Sequence, residues 1–131
     1  MFGGLASARF HRPDSGQGLN GAAQAHIKSM RMLTAELDIF HCTPDAECQL
    51  LSEREPNEAY LTCIAGEQYA LYFPDGGAVT LDLTDAPGRF TARWLDITHS
   101  TWGTASTMAG GDPVNLETPG AGHWAVLLRK K

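Results

Sequence analysis

At 131 residues and 14.1 kDa the chain fits a single domain, and that size buries enough surface on folding to stand alone. Ten Lys and Arg against fifteen Asp and Glu leave a formal charge of -5, which repels nucleic acid and anionic lipid and excludes a basic binding footprint. The hydrophobic fraction of 43% is ordinary, whereas 14 Gly and 7 Pro set between short apolar runs favour many turns over long helices.

Met1-Phe-Gly-Gly-Leu5 lacks the charged start and apolar centre of a signal peptide, and no run approaches the roughly 18 apolar residues of a membrane span. A soluble, unexported chain is expected, with a cytoplasmic location favoured. Residues 1–19 are broken by Gly3, Gly4, Pro13, Gly16 and Gly18 and carry no core pattern of their own. Phe2, Leu5 and Phe10 are apolar residues in need of a partner, and Arg9-Phe-His-Arg-Pro13 groups three potential cations in five residues, so this segment reads as the end of something larger. Asn20 then caps a helix predicted over 21–40, with Ile27, Met30, Leu33, Leu37 and Phe40 on one stripe. His26 and His41, near its two ends, are read as structural or solvent-facing.

Cys42, Cys48 and Cys63 make an odd number in a chain too large to need staples, so reduced thiols are expected. A Cys42 to Cys48 bridge is the alternative. Zinc is weaker still, because His41, Cys42 and Cys48 offer three soft ligands without a clear fourth, and no metal or cofactor is predicted.

From residue 48 onward the pattern is strands without helices. A short strand over 48–51 precedes the charged loop 52–57, and 58–65 pairs with 68–73 across Gly66-Glu67. The most regular stretch is Gln68-Tyr-Ala-Leu-Tyr-Phe73, the turn Pro74-Asp-Gly-Gly77, and Ala78-Val-Thr-Leu-Asp-Leu83. It reads as an antiparallel hairpin, with Tyr69, Leu71 and Phe73 on one face and Val79, Leu81 and Leu83 on one face of the partner. Strands over 89–96, 102–107, 114–117 and 124–128 follow, with Phe90, Ala92 and Trp94 facing one way and Thr91, Arg93 and Leu95 the other. Seven or eight short strands between Gly and Pro turns predict a mainly β fold, an antiparallel β-sandwich with one N-terminal α-helix packed at one end. The organisation expected is 1–45 as an N-terminal segment and helix, and 46–131 as the sandwich.

The ordered motifs Tyr69-Ala-Leu-Tyr-Phe-Pro-Asp-Gly-Gly77, Val79-Thr-Leu-Asp-Leu83, Phe90-Thr-Ala-Arg-Trp-Leu-Asp96, Gly110-Gly111 and Pro119-Gly-Ala-Gly-His-Trp-Ala-Val-Leu-Leu128 carry a family resemblance. Over about residues 60–129 the chain resembles the C-terminal β-sandwich known as the collagen-binding domain of a collagenase, which follows the (β/α)8-barrel of apiosidase-like glycoside hydrolases. Phe2-Gly-Gly through His26-Ile-Lys-Ser-Met-Arg31 looks like the last turn and helix of such a barrel. The resemblance implies a non-catalytic accessory domain whose partner is a catalytic barrel. It carries over no catalytic pair, because the barrel's two carboxylates have no counterpart among these residues. The collagen in the family's name is an inferred ligand, and no residue of this chain independently points to it.

The residues themselves show no reaction centre. Glu53, Glu55 and Glu58 are close in sequence but read as a solvated turn, and no Gly-x-Ser-x-Gly elbow or triad signature surrounds Ser7, Ser29, Ser100 or Cys63. For a polysaccharide- or protein-binding module, aromatic rings that stack on sugars are the relevant groups. Trp94 and Trp124 belong to alternating strands and are assigned to the core. Tyr72 and Trp102 are the candidate ligand-binding residues. Phe2, Leu5 and Phe10 beside the helix stripe predict an exposed apolar patch, covered by a second copy in an oligomer when no barrel is present.

Overall fold

The computed structural model describes residues 20–45 and 49–131. Helix α1 spans Gly21–Thr34, and the Asn20 side chain accepts from the Ala23 amide at 2.8 Å, satisfying one orphan N–H of the first turn. α1 is shorter than the predicted 21–40. No Gly or Pro stops it; the chain instead continues in turns, Leu37 N–H to Leu33 and Ile39 N–H to Leu37, which carry Leu37 and Ile39 onto the sheet. Phe40, assigned to the stripe, is 92% exposed.

Ten strands follow among the described residues: β1 (Thr43–Pro44), β2 (Leu51–Ser52), β3 (Tyr60–Ile64), β4 (Gln68–Phe73), β5 (Ala78–Leu81), β6 (Gly88–Asp96), β7 (Thr101–Trp102), β8 (Ser106–Gly110), β9 (Val114–Glu117) and β10 (Trp124–Lys130). A seven-stranded antiparallel sheet runs β1-β3-β4-β10-β6-β7, with β8 also paired to β6, and a three-stranded sheet runs β2-β5-β9. The fold is the expected mainly β, antiparallel sandwich with one N-terminal helix. The strand predicted over 102–107 is two, β7 and β8, which meet different parts of β6.

The β3–β4 pairing across Gly66-Glu67 forms as expected, from Tyr60 opposite Tyr72 to Ile64 opposite Gln68. The hairpin expected between β4 and β5 does not. β4 pairs with β3 and β10, whereas β5 pairs with β2 and β9, so Pro74-Asp-Gly-Gly77 crosses from one sheet to the other. Gly76 and Gly77 take φ of 81° and 123° there, and a Cβ on Gly77 would strike the Glu58 carboxylate. The facing residues were assigned correctly all the same: Tyr69, Leu71 and Phe73 meet Val79, Leu81 and Leu83 in one core, across the gap between sheets rather than side by side.

A second core lies on the opposite face of the large sheet. Leu33 and Leu37 pack there with Ala70, Leu95, Ala125 and Leu127. The helix therefore covers a sheet face and not, as predicted, one end of the sandwich. β10 lies between β4 and β6 with Ala125 to Leu128 all buried. Its Ala-Val-Leu-Leu run is the pattern of a strand covered on both sides, where alternation is lost.

Leu71→Ala and Leu127→Ala should each cost about 2–5 kcal/mol in urea unfolding, as buried leucines of two cores. Only Leu127→Ala should also speed hydrogen exchange in α1. Unchanged exchange in that variant would mean that the helix does not depend on the sheet.

Candidate functional site

The antiparallel register places one row of side chains across the helix-side face of the large sheet: Tyr60, Tyr72, Ala125, Leu95 and Trp102 on successive strands. The Tyr60 and Tyr72 rings stack with centroids 6.5 Å apart and planes 22° from parallel. The Arg54 guanidinium lies 5.7 Å from the Tyr60 centroid, and the Tyr60 hydroxyl donates to Asn57 Oδ1 at 2.7 Å. Burial pushes the Tyr72 phenol up, with Asp75 and Tyr60 adding to the shift.

Beyond Tyr72 the row drops to Ala125, the smallest of the five. Among the described residues, a cleft of about 440 Å³ is lined here by Tyr72, Ala125, Leu95 and Ile97 together with His26, Met30 and Leu33 of α1. Met30 is 44% exposed. The His26 and His123 rings meet edge to face, with centroids 5.4 Å apart.

Hydroxyl groups hold this part of the helix. Ser29 Oγ lies 2.8 Å from the Ile97 carbonyl and 2.9 Å from Ser100 Oγ, so its one proton is shared between two acceptors, and Ser100 Oγ donates to the Ala25 carbonyl at 2.9 Å. Both serines are buried. Ser100 takes φ of 52°, a left-handed conformation that the preceding turn sets up: Asp96 accepts from the His99 amide at 3.0 Å and meets His99 Nδ1 at 2.7 Å. Partial burial raises the Asp96 carboxyl, but the His99 amide and imidazole outweigh it and hold the group below its ordinary value.

Tyr72 and Trp102, the two predicted ligand-binding residues, thus share a sheet face. Three strand spacings of ~4.8 Å set their backbones about 14 Å apart, too far for both to stack on one sugar ring. Trp102 is only partly exposed, packs against the helix-side core, and has the Arg93 guanidinium 4.6 Å from its centroid. Arg93 in turn binds Glu36 at 3.0 and 3.3 Å. Trp94 and Trp124 are partly buried against the other core, with Trp94 5.5 Å from Phe73 and 6.5 Å from Trp124.

The carboxylates are tied to the scaffold. Glu58 accepts from the Ala78 and Glu55 amides at 2.9 and 2.8 Å, and Glu53 accepts from the Thr80 hydroxyl at 3.0 Å. Cys42 and Cys63 are free thiols, both pushed up by burial. Cys48, Phe2, Leu5, Phe10 and Ser7 lie outside the described residues. Among the described residues no group of three or more His, Cys, Asp or Glu could hold a metal ion. Sequence reasoning missed the Ser29–Ser100 pair and the cleft; the one available signal was a serine on the buried side of the helix stripe.

No family model matches the chain, and no curated protein does. Among solved structures it is similar to one described as a glycoside hydrolase, with a TM-score of 0.71 and 13% identity over 93% of this chain and 31% of that one. It is also similar to a glycoside hydrolase family 5 structure from Bacteroides vulgatus ATCC 8482, with a TM-score of 0.66 and 12% identity over 80% of this chain and 24% of that one. At such identities the likeness is one of fold. The chain spans less than a third of the length of either hydrolase.

Ser29→Ala should lower stability by about 1–3 kcal/mol, because the buried Ser100 hydroxyl and Ile97 carbonyl lose a partner; a neutral result would show that water replaces it. Asp96 gives a pH test. A carboxyl whose pKa falls on folding stabilises above its unfolded value of ~3.9 and loses that contribution as pH drops through the folded value. Part of the stability lost below about pH 4 should therefore vanish in Asp96→Asn, read as a flatter acid limb in thermal melts.

Proposed function

We propose that this chain is a non-catalytic accessory β-sandwich that stabilises or orients the catalytic (β/α)8-barrel of a glycoside hydrolase. The observation carrying this reading is the coverage: the fold accounts for 93% of this chain but only 31% of a glycoside hydrolase it resembles. The motif order of residues 60–129 supports the same assignment. The use of Glu53 and Glu58 as scaffold acceptors is in keeping with it, since a glycosidase needs two carboxylates facing a sugar across a cleft.

The second reading is a polysaccharide- or protein-binding module acting through Tyr72 and Trp102. Their shared sheet face favours it, whereas their separation restricts it to ligands several rings long. The oligomer expected from Phe2, Leu5 and Phe10 beside the helix stripe rests on residues outside the described ones, and of the stripe Leu33 and Leu37 are buried against the chain's own sheet. A second copy is an alternative partner only for surface that the sheet leaves uncovered, such as Met30 and Phe40.

An antibody against the chain, applied to extracts of its native source, should recover glycosidase activity in a polypeptide or complex larger than 14.1 kDa. Recovery of the chain alone, inactive on a panel of nitrophenyl glycosides, would overturn the accessory reading. For the second reading, Trp102→Ala should weaken retention in polysaccharide-containing gels by about 1–2 kcal/mol. The same substitution should also lower the melting temperature, because Trp102 supports the helix-side core.

A further inference from the structure

Past the helical cover, the helix-side face of the large sheet ends in a polar terrace. Leu127 and Leu95 face the helix, so Arg129 and Lys131 at the end of β10 and Arg89, Thr91 and Arg93 on β6 share their side of the sheet. One register row runs Gln68, Arg129, Thr91 and Thr107 across β4, β10, β6 and β8. In the next row the Lys131 amide donates to the Arg89 carbonyl at 2.9 Å. Arg89, Arg129 and Lys131 are exposed, and 51% of the Arg129 side chain faces water. Among the described residues Glu36 is the one carboxylate paired with this group. It holds Arg93 at 3.0 and 3.3 Å and only approaches Arg129, at 3.9 Å. Lys131 Nζ donates to Thr107 Oγ1 at 3.1 Å, which brings its ammonium to the same row. We propose that this terrace binds the carboxylates of a polyuronate, an acidic polysaccharide.

This deepens the polysaccharide-binding reading, on which it rests, by naming a ligand class and a different part of the same sheet face. Charge complementarity selects the class. The chain carries a net charge of -5, yet Arg89, Arg129 and Lys131 gather here around one carboxylate that Arg93 already engages, so the terrace is locally positive. A guanidinium pairs with a carboxylate through two parallel N–H donors, a match that a neutral sugar does not offer. A depression of about 310 Å³, lined by Glu36, Thr91, Arg93, Leu127, Arg129 and Lys130, gives such a carboxylate a seat beside Arg129. Thr91 and Thr107 stand between the cations and supply hydroxyls for the hydroxyls that a uronate ring carries next to its carboxylate. An acidic peptide brings carboxylates without those hydroxyls. A nucleic acid or an anionic lipid surface sets its field against the whole chain, whose net charge repels it, whereas a short polyuronate meets the terrace alone.

The test is an amide chemical-shift titration of the full chain with oligogalacturonate, with its methyl ester, which keeps the rings and removes the charges, and with oligoglutamate. Saturable shifts centred on Thr91, Thr107 and Arg129 are expected with oligogalacturonate and none there with the ester or the peptide. Arg129→Ala should weaken oligogalacturonate binding about tenfold, and Arg89→Ala about fivefold, as for lost hydrogen bonds to a charged group. Both positions are exposed, so the circular dichroism spectrum should be kept. Lys28→Ala removes the same charge from α1 and should leave binding unchanged. Absence of saturable shifts, shifts centred elsewhere, equal binding of oligoglutamate, or equal losses in Lys28→Ala and Arg129→Ala would each overturn the assignment. Binding of the ester at Trp102, lost in Trp102→Ala and unchanged in Arg129→Ala, would overturn the terrace while leaving the polysaccharide-binding reading standing.

Discussion

Strand β10 is the constraint on which the rest of the structure depends. It pairs with β4 on one side from Trp124 to Arg129 and with β6 on the other from Trp124 to Lys130, and four consecutive residues, Ala125 to Leu128, are shut off from water. Val126 and Leu128 face the sandwich core while Ala125 and Leu127 face the helix. Each buried aliphatic side chain contributes about 1.5–3 kcal/mol relative to exposure. A sheet with this strand at its centre needs a cover on both faces. The three-stranded sheet supplies one cover and α1 the other, which makes the helix part of the folding unit.

The helix cover is held differently from the sheet cover. Across the sandwich, the contact is apolar, with Phe73, Phe90, Leu71 and Leu81 fully buried. On the helix side, two leucines of the helical segment are joined by polar ties: Ser29 and Ser100 near the middle of the helix, Glu36 with Arg93 just past its end, and the Gln68 side chain accepting from the Asp38 amide. Apolar contact is nondirectional, whereas hydroxyl and guanidinium contacts require particular positions. The leucines therefore drive docking and the polar groups set where on the sheet the helix rests.

Much of this was legible in the residues, and the failures have specific causes. The β3–β4 turn at Gly66-Glu67 and the extents of β4 and β9 followed from alternation and turn residues alone. Alternation also identified which side of β4, β5 and β6 is apolar. It could not say whether two apolar faces lie side by side in one sheet or opposite each other in two, because both arrangements bury the same residues; the supposed β4–β5 hairpin failed on that point. The continuous run in β10 carried the information that its strand is central, and the helix position was implied with it, since a strand covered on both faces needs a third layer. The Ser29–Ser100 contact joins residues 71 positions apart and left no periodic trace.

The fold likeness concerns the whole unit of helix and two sheets, in which almost every carboxylate with a described role, Glu36, Glu53, Glu58 and Asp96 among them, accepts hydrogen bonds from the chain itself. Such groups are spent on position: Glu53 and Glu58 tie the loop before β3 to β5, and Glu36 ties the helix side to Arg93 of β6.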